Sequence, residues 1–351
     1  MSRWAVILAG GVGSRFWPLS TPDRPKQLLP LIDDAPLLAN TLARLEPLVP
    51  PERTLILTNA ALVAAVGRVA SRVPPENVIA EPRPAGTAAA LAWAALEISR
   101  RNSDDAVMLC VHADWAIADD DGFRSTLASA ADAAARHRSL VTVGIVPSRP
   151  DPGFGYIEPG EAMGGDVRRV ARFVEKPDRA RAEQMVRDGY LWNSGIFVWR
   201  VGDFLAEVRA HTPEVAPALE AAATKRGAEA MESFFPAARS VSVDVGVLER
   251  SDRVLVLPGN FGWDDVGTWA ALRRVRVLDT AGNALSGAVH AMDARGNVVH
   301  AEESTVVLYG VSDLVVVATD GLTLVTTIDR AADLKALVES LPAAVREPVG
   351  T

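Results

Sequence analysis

The sequence predicts an α/β protein with a mainly parallel sheet, followed by a small β-rich domain. Through the first half of the 351 residues, continuous apolar runs alternate with alanine-rich stretches of helical character. Strands that are apolar at every position are typical of a parallel sheet that helices cover on both faces. After Thr280 the runs become short and β-branched, with glycine and aspartate between them. We therefore predict two domains, residues 1–280 and residues 281–351.

The elements of the first half follow from these runs in chain order. Strands are predicted at residues 4–8, 54–58, 106–111 and 140–146, and helices at residues 60–71, 87–101 and 122–137. Ligands of such sheets bind beyond the carboxyl ends of the strands. Because a glycine-rich loop and Asp114 both follow strand ends, we expect them to lie at the same edge of the sheet.

The second half is less regular. Strands are predicted at residues 154–158, 167–174 and 195–199, and helices at residues 178–188, 203–231 and 268–278. Closely spaced strands without intervening helices are predicted at residues 287–290, 297–300, 305–309, 314–318 and 322–326, before a final helix at residues 331–341. These short strands are the basis for the small β-rich domain.

Composition excludes several classes of protein. Hydrophobic residues make up 49% of the chain and charged residues 23%, so a large folded core is expected. The net charge of −8 argues against a nucleic-acid partner. The single cysteine, Cys110, permits neither a disulfide framework nor a thiolate metal cluster. The N-terminal apolar run is too short for a signal peptide, and no run approaches transmembrane length. We expect a cytoplasmic protein with no membrane partner.

The N-terminal loop has the composition of a phosphate-binding site. A buried strand leads into the sequence AGGVGSRFWP at residues 9–18, and Pro25-Lys26-Gln27 follows. Backbone N–H groups and two cations are thereby available to a polyphosphate. The loop is not a Rossmann fingerprint, because Phe16 stands where the third glycine belongs, and it has no Gly-Lys pair of a P-loop. It is a third kind of phosphate loop.

These residues resemble the signature of the sugar-1-phosphate nucleotidyltransferases. The sequence FWPLS at residues 16–20 is similar to that of the mannose-1-phosphate guanylyltransferase branch. The resemblance extends over residues 3–341. It implies the Rossmann-like sheet of the nucleotide-diphospho-sugar transferase type and a left-handed β-helix-like C-terminal arm that serves in dimer contacts, hence a homodimer. The implied reaction transfers GMP from GTP to mannose 1-phosphate, giving GDP-mannose and pyrophosphate. Longer relatives carry a cupin-type isomerase domain, and here we expect a transferase alone.

The resemblance also implies the catalytic residues. Nucleotidyl transfer builds negative charge around the α-phosphate and on the leaving pyrophosphate, which fixed cations stabilise. Arg15 is expected to hold the triphosphate tail and Lys26 the α-phosphate region. Asp114 and Asp265 are expected to bind one Mg²⁺, since this cation takes one or two carboxylates together with phosphate oxygens.

The two carboxylates lie in motifs that match the family unequally. Asp265 belongs to the sequence GWDDVGTW at residues 262–269, where Asp264 occupies a variable position. Asp114 retains the acidic residue of a Pro-x-Asp-His element, but His112 replaces its proline and Trp115 its histidine. These changes affect the expected shape of the loop around Asp114.

A third group of motifs implies a sugar-phosphate site. In the sequence FVEKP at residues 173–177, Glu175 is expected to accept hydrogen bonds from sugar hydroxyls and Lys176 to pair with the 1-phosphate. Gly155 lets the backbone approach the sugar, and Asn193 can donate and accept toward a hydroxyl. Asp265 is also assigned to this site, and Asp244 has weaker support near the sugar.

The nucleoside is assigned to the glycine loop and to a second loop that begins at residue 81. Glu81, Pro82 and Thr87 match a family element whose Arg-Asn pair is replaced here by Ala85-Gly86. The sequence leaves open whether Glu81 accepts from guanine or is an ordinary loop carboxylate. The implied nucleotide-binding residues are Leu8, Ala9, Gly10, Gly11, Gly13, Ser14, Arg15, Glu81, Pro82 and Thr87.

Three hypotheses about function remain open. The first is guanylyl transfer to mannose 1-phosphate. The second is the same chemistry with another base or another sugar 1-phosphate, such as that of glucose or a heptose, which the changes at Gly86 and Trp115 keep open. The third is a non-catalytic sensor that binds a nucleotide sugar. The retained cations and carboxylates argue against the sensor.

Overall fold

The computed structural model describes residues 1–11 and 13–346. The chain forms two compact units, and each combines segments that are distant in sequence. The first unit comprises Met1–Gly10, Leu42–His112 and Asp119–Gly262, and the second comprises Gly11–Thr41, Ala113–Ala118 and Trp263–Thr351. The domain boundary near Thr280 stays a prediction, and residues 347–351 of the predicted C-terminal domain lie outside the described residues.

The secondary structure alternates strands and helices before it ends in short strands. The strands are β1 (Arg3–Leu8), β2 (Thr54–Asn59), β3 (Val78–Glu81), β4 (Val107–His112), β5 (Ala116–Ile117), β6 (Leu140–Ile145), β7 (Tyr156–Gly164), β8 (Val167–Val174), β9 (Leu191–Arg200), β10 (Val254–Gly259), β11 (Trp263–Asp264), β12 (Ala284–Ser286), β13 (Val289–Met292), β14 (Val298–Ala301), β15 (Val306–Tyr309), β16 (Leu314–Thr319) and β17 (Leu322–Thr327). The α-helices are α1 (Leu37–Leu45), α2 (Val63–Val69), α3 (Gly86–Arg101), α4 (Asp120–His137), α5 (Arg179–Arg187), α6 (Val201–His211), α7 (Ala216–Ala222), α8 (Gly227–Ala237), α9 (Leu272–Val275), α10 (Leu334–Ser340) and α11 (Ala343–Arg346). None of the described helices has the length and apolarity needed to cross a membrane.

The first unit contains a nine-stranded sheet in the order β3-β2-β1-β4-β9-β6-β10-β8-β7. The neighbours β3, β2, β1 and β4 are parallel, and so are β6 and β10. Strand β9 lies between β4 and β6 and is antiparallel to both. The predicted fold class is therefore confirmed, in its mixed rather than purely parallel form.

Alanine-rich helix α3 shows why the apolar pattern produces close packing in the first unit. Ten of its sixteen residues are buried, most of them alanines, so the helix backbone can approach its neighbours closely. Its one large aromatic residue, Trp93, packs against Phe234 and Phe235 with ring centroids 5.3 and 5.8 Å apart. Truncating such a buried tryptophan to alanine costs about 3–5 kcal/mol of stability.

The second unit contains stacked parallel strands. β12, β14 and β16 pair in parallel, β13 pairs with β15 in parallel, and β17 closes the larger sheet in the antiparallel direction. An asparagine ladder joins successive turns: Asn297 donates to Asn283 through Nδ2 at 2.9 Å, and its own side-chain oxygen accepts from the Leu314 amide at 2.9 Å. The predicted β-rich character of the C-terminal segment is confirmed.

The core of the second unit draws on both ends of the chain. Phe16 and Leu29, from the N-terminal segment, belong to the same buried cluster as Val298, Val315 and Leu334. The helix predicted at residues 268–278 is much shorter in the structure. A 3₁₀ turn leads into α9, which ends at Val275, where the backbone becomes extended at Arg276. The buried Arg276 guanidinium donates to the carbonyls of Leu31 and Val299.

Candidate active site

At Gly13, the glycine loop of the second unit adopts a conformation that only glycine accommodates. Gly13 has φ +68°, and its carbonyl accepts from the Phe16 amide at 3.0 Å and from the Ser20 hydroxyl at 2.8 Å. A Cβ atom at Gly13 would overlap Cβ of Lys26. The left-handed backbone and the close approach of Lys26 therefore both require glycine there.

Lys26 is the best-defined cation of this loop. Its side chain is 7% exposed, and its Nζ donates to Asp114 Oδ2 at 2.9 Å and to the backbone carbonyl of Asp265 at 2.6 Å. One ammonium thus joins the glycine loop to both predicted metal-binding aspartates. Arg15, by contrast, is exposed at the surface of the loop.

A short β-ladder explains how two aspartates so distant in sequence come together. β5 and β11 pair in the antiparallel direction, with Ala116 opposite Asp264. Asp114 precedes β5 and Asp265 follows β11, so the antiparallel pairing leaves both at the same end of the ladder. Trp115 packs edge-to-face on Trp263 at 6.0 Å. The tryptophan at position 115 is thus a packing residue of the ladder.

The neighbouring carboxylate, Asp264, serves the fold. It is buried, accepts from Arg274 Nε at 2.7 Å and Arg274 Nη2 at 3.0 Å, and also accepts from the Val266 amide at 2.9 Å. Sequence reasoning missed Arg274, which carries no local signal because it lies ten residues along the chain. Val266 adopts φ +47°, which is an outlier for a β-branched residue and stores strain directly after Asp265.

The donor set around Asp114 and Asp265 fits a hard divalent cation. Both side chains are partly exposed and offer carboxylate oxygens. Mg²⁺ binds through one or two carboxylates and keeps positions for water and phosphate. Among the described residues no group of three or more acidic, histidine or cysteine side chains is placed to enclose a metal by itself. Two carboxylates are the kind of protein ligands that an open magnesium site uses.

In the first unit, the predicted nucleoside residues lie at the carboxyl ends of parallel strands. Leu8 ends β1 and Glu81 ends β3, while Ala9 donates to the Leu57 carbonyl at 2.8 Å and accepts from the Thr58 hydroxyl at 3.0 Å. A Cβ atom at Gly10 would meet nothing within 4 Å, so its backbone is open to a ligand. Gly11, which belongs to the second unit, is equally open.

Glu81 and Gly86 differ in what they contribute to the loop between β3 and α3. Burial raises the pKa of Glu81 to about 7, which places its charge change near neutral pH. Gly86 has φ +79°, and a Cβ there would overlap the Val241 carbonyl. The glycine that replaces the second residue of the family's Arg-Asn pair is thus required here by the packing on Val241. Thr87 accepts from the Val243 amide at 2.9 Å, whereas Pro82 is exposed.

Strand register brings the predicted sugar-site residues together. Tyr156 of β7 lies opposite Val174 of β8 and opposite Trp192 of β9. The preceding residue, Gly155, is therefore adjacent to Glu175 and Asn193, each of which follows one of those partners. Its carbonyl accepts from the Asn193 amide at 2.8 Å, and a Cβ at Gly155 would lie 2.9 Å from Glu175 Oε2.

The charged pair of this site is exposed and its backbone is strained. Lys176 Nζ lies 2.8 Å from Glu175 Oε1, and the two side chains are about two-thirds exposed, at 65% and 64%. Lys176 has φ +40°. Residues in such conformations cluster at functional sites.

Asp244 contacts Asn193, one of the predicted sugar-site residues. It begins a single π-helical turn, Asp244–Leu248, and accepts from Asn193 Nδ2 at 2.7 Å. Burial raises the pKa of Asp244, while the hydrogen bond from Asn193 and the nearby His112 act in the opposite direction. Sequence reasoning supported Asp244 only weakly, and its contact with Asn193 depends on tertiary structure.

Comparison with known proteins identifies the family. The nucleotidyl transferase family model matches residues 4–282, and a model described as the mannose-phosphate isomerase/GMP-like β-helix domain matches residues 287–341. The chain belongs to the nucleotidyl transferase family. The resemblance noted from its motifs is thereby confirmed.

Three relatives show how far this nucleotidyl transferase matches known proteins. It is 37% identical to the mannose-1-phosphate guanylyltransferase of Escherichia coli, over 97% of this chain and 73% of that one. It is 36% identical to the xanthan biosynthesis protein XanB of Xanthomonas campestris, with the same shares covered. A crystal structure from Thermus thermophilus, described as a mannose-1-phosphate geranyltransferase, matches with TM-score 0.89 and 37% identity over 97% of this chain and 99% of that one.

Proposed function

We propose that this enzyme transfers GMP from GTP to α-D-mannose 1-phosphate, giving GDP-mannose and pyrophosphate. The observation that carries the substrate assignment is the 37% identity over 97% of the chain to a relative named for this reaction. The chemistry is supported by the Lys26 ammonium, which contacts Asp114 and Asp265 beside the glycine loop.

The proposed reaction is a direct displacement at phosphorus. An oxygen of the sugar 1-phosphate attacks the α-phosphorus of GTP, a new P–O bond forms, and the bond between the α- and β-phosphates breaks to release pyrophosphate. Protein nucleophiles are not needed. Lys26 stabilises the charge that develops near the α-phosphate, and the exposed Arg15 pairs with the triphosphate tail.

In this proposal the remaining site residues bind and orient the two substrates. Backbone groups from Leu8 to Gly11 and at Gly13 and Ser14 approach the nucleotide. Glu175 and Asn193 accept and donate toward sugar hydroxyls, with Gly155 giving access, and Lys176 pairs with the 1-phosphate. Such positioning replaces much of the entropic cost of bringing two substrates together.

Asp114 and Asp265 would hold Mg²⁺ in this proposal. When bound, the cation supplies Lewis-acid polarisation of the phosphate and a template for the two substrates. The Lys26 ammonium, which contacts the Asp114 carboxylate and the backbone carbonyl of Asp265, links the two residues and supports this assignment.

A second candidate is the same reaction with another base or sugar 1-phosphate. The loop that carries Glu81 has Ala85-Gly86 where the family element has Arg-Asn, and Gly86 is fixed by its packing on Val241. The loop assigned to the base therefore differs from the family element, and the base it accepts can differ as well.

The test is pyrophosphate release with Mg²⁺, crossing GTP, ATP, UTP, dTTP and CTP with mannose 1-phosphate and glucose 1-phosphate. Release that is strong only with GTP and mannose 1-phosphate supports the proposal. Release with another pair of substrates supports nucleotidyl transfer but assigns a different base or sugar 1-phosphate. Absence of release from folded protein that binds nucleotide supports a sensor instead.

One substitution separates enzyme from sensor and tests the metal assignment. Asp265→Asn is expected to lower turnover about 100-fold or more while nucleotide binding remains, by analogy with removal of one transition-state-stabilising group. Asp320→Asn, at an exposed aspartate of the turn between β16 and β17, is the matched control. Equal turnover in both variants would refute the role of Asp265.

The proposal also includes a cytoplasmic homodimer, as the resemblance implies. Sedimentation equilibrium should then give about twice the chain mass of 37.3 kDa. A mass equal to that of one chain at micromolar concentration would refute the dimer.

A further inference from the structure

An arginine outside the predicted site lies against two aromatic rings of the first unit. The Arg149 guanidinium carbon is 5.0 Å from the Trp192 ring centroid and 5.7 Å from that of Phe154. The two rings meet edge-to-face at 4.9 Å. A cation held over two aromatic faces is attracted by both. Arg149 therefore connects the loop that contains Phe154 to the start of β9, where Trp192 lies.

The same guanidinium also orients an aspartate that organises the loop. Arg149 Nη2 and Nε lie 2.8 and 3.0 Å from Asp151 Oδ2. The other carboxylate oxygen of Asp151 accepts from the Gly153 amide at 2.9 Å. The Asp151 amide donates to the Tyr156 hydroxyl at 3.0 Å, and that hydroxyl donates to the Asp151 carbonyl at 3.1 Å.

Side chains contribute to the order of this loop, since two of its residues cannot donate a backbone hydrogen bond. Pro150 and Pro152 lack an N–H group. The backbone–backbone bond described within the turn, from the Phe154 amide to the Asp151 carbonyl, is long at 3.5 Å. The Arg149–Asp151 pair, the two rings and the Tyr156 hydroxyl all contact the turn and help to fix it.

The end of this loop is a wall of the sugar site. Gly155 directly follows Phe154, bonds to the Asn193 amide, and approaches Glu175 so closely that a Cβ would lie 2.9 Å from its carboxylate. Trp192 directly precedes Asn193 and is 1% exposed. Phe154 and Trp192 thus each adjoin a sugar-site residue, and Arg149 lies against both rings. A displacement of this turn moves Gly155 relative to Glu175 and Asn193.

We propose that Arg149 is a positioning residue for the sugar 1-phosphate: it fixes the turn at residues 150–155 so that Gly155, Glu175 and Asn193 form one binding surface. This inference rests on the proposed function, and it adds a residue outside the motifs that carry the family resemblance. Arg149 acts through Phe154, Trp192 and Asp151 and does not itself contact the reacting atoms.

The test measures steady-state kinetics and amide exchange in the full-length protein. Arg149→Met is expected to raise KM for mannose 1-phosphate about tenfold or more, with KM for GTP unchanged, since small misplacements of binding groups cost up to about 100-fold. Amide hydrogen exchange in the peptide spanning residues 150–157 is expected to accelerate. Arg149→Lys keeps a cation near the rings and Asp151, so its KM for mannose 1-phosphate and its exchange rate in residues 150–157 are expected to stay close to the wild-type values.

The control and the outcomes separate this inference from the proposed function. Arg209→Met removes another partly exposed ion pair of the first unit, with Glu220 at 3.2 Å, and is expected to change neither readout. If exchange accelerates in Arg149→Met and KM for the sugar 1-phosphate stays at the wild-type value, the inference is overturned. Equal increases of both KM values would indicate a general structural role and also overturn it. A wild-type enzyme that uses no sugar 1-phosphate would overturn the proposed function before any variant is compared.

Discussion

Replacing Lys26 by methionine tests the central contact of the site. The substitution keeps the length and apolar stem of the side chain and removes the ammonium that contacts Asp114 Oδ2 at 2.9 Å and the Asp265 carbonyl at 2.6 Å. The Asp114 carboxylate and the Asp265 carbonyl each lose a charged donor. Effects on stability and on turnover must therefore be separated.

The expected loss of stability is modest. A hydrogen bond to a charged group contributes about 1.5–3 kcal/mol, and Lys26 makes two. The 7% exposed ammonium, however, is itself costly to bury, and the Asp114 side chain is 34% exposed, so water can replace the lost donor there. We expect the free energy of unfolding to fall by about 1–3 kcal/mol. A shift of this size lowers Tm by several degrees and leaves the protein folded at 25 °C.

The expected loss of turnover is larger. Removing one preorganised donor from the developing charge costs about 2.7–4 kcal/mol of transition-state stabilisation, or a factor of about 100 to 1,000 in kcat. The assay is pyrophosphate release at saturating GTP and mannose 1-phosphate, with Tm measured in parallel. Lys335→Met, at an exposed lysine of α10 in the same unit, is the control. A Lys26→Met variant that is folded and keeps more than a tenth of wild-type kcat would refute the catalytic role.

Three other positions give predictions of their own. Gly13→Ala is expected to abolish most turnover, because its Cβ overlaps Lys26 and its φ is +68°; kcat and Tm report both effects. Lys176→Gly is expected to raise KM for the sugar 1-phosphate about tenfold while changing the free energy of unfolding by less than about 1 kcal/mol, since glycine relieves its positive φ; Asp293→Gly, at φ +49° in a C-terminal turn, should leave KM unchanged. The folded protein retains a proton on Glu81 up to about pH 7, whereas the reference pKa is 4.5, so the contribution of Glu81 to stability falls as pH rises from 4.5 to 7. Glu81→Gln should flatten this part of the stability profile in thermal melts, and equal slopes in the two proteins would contradict the assignment.

The parts of the site that were predictable from sequence are those whose signals are local. The glycine-rich composition of residues 9–18 predicts a turn, and the structure has a left-handed glycine there at Gly13. The roles assigned to Gly13 and Lys26 in binding and catalysis stay predictions. The strand end at Leu8 was predictable because it closes a continuous apolar run, and a parallel sheet places such ends along one edge. The short strand β3 that ends at Glu81 was missed, because only three apolar residues precede the glutamate.

The rest depends on tertiary pairing. Asp264, the first of two adjacent aspartates, accepts from Arg274 through its carboxylate, and no local pattern marks that partner. The direction of β9 depends on register with β4 and β6, and a single apolar run does not encode it. Arg276, which follows the short helix ending at Val275, donates to the carbonyls of Leu31 and Val299. Partners such as Leu31 for Arg276 and β4 for β9 are distant in sequence, so local patterns do not reveal them.

The shared core of the second unit has a consequence for synthesis of the chain. Phe16 and Leu29, which flank the phosphate loop and Lys26, are buried with Val298, Val315 and Leu334. During translation the N-terminal segment leaves the ribosome long before these partners exist. The first strand can enter its sheet earlier, because its neighbours β2 and β4 both precede the C-terminal partners of Phe16 in the chain. The segment that carries Phe16 and Leu29 therefore completes its packing only with residues that are translated much later.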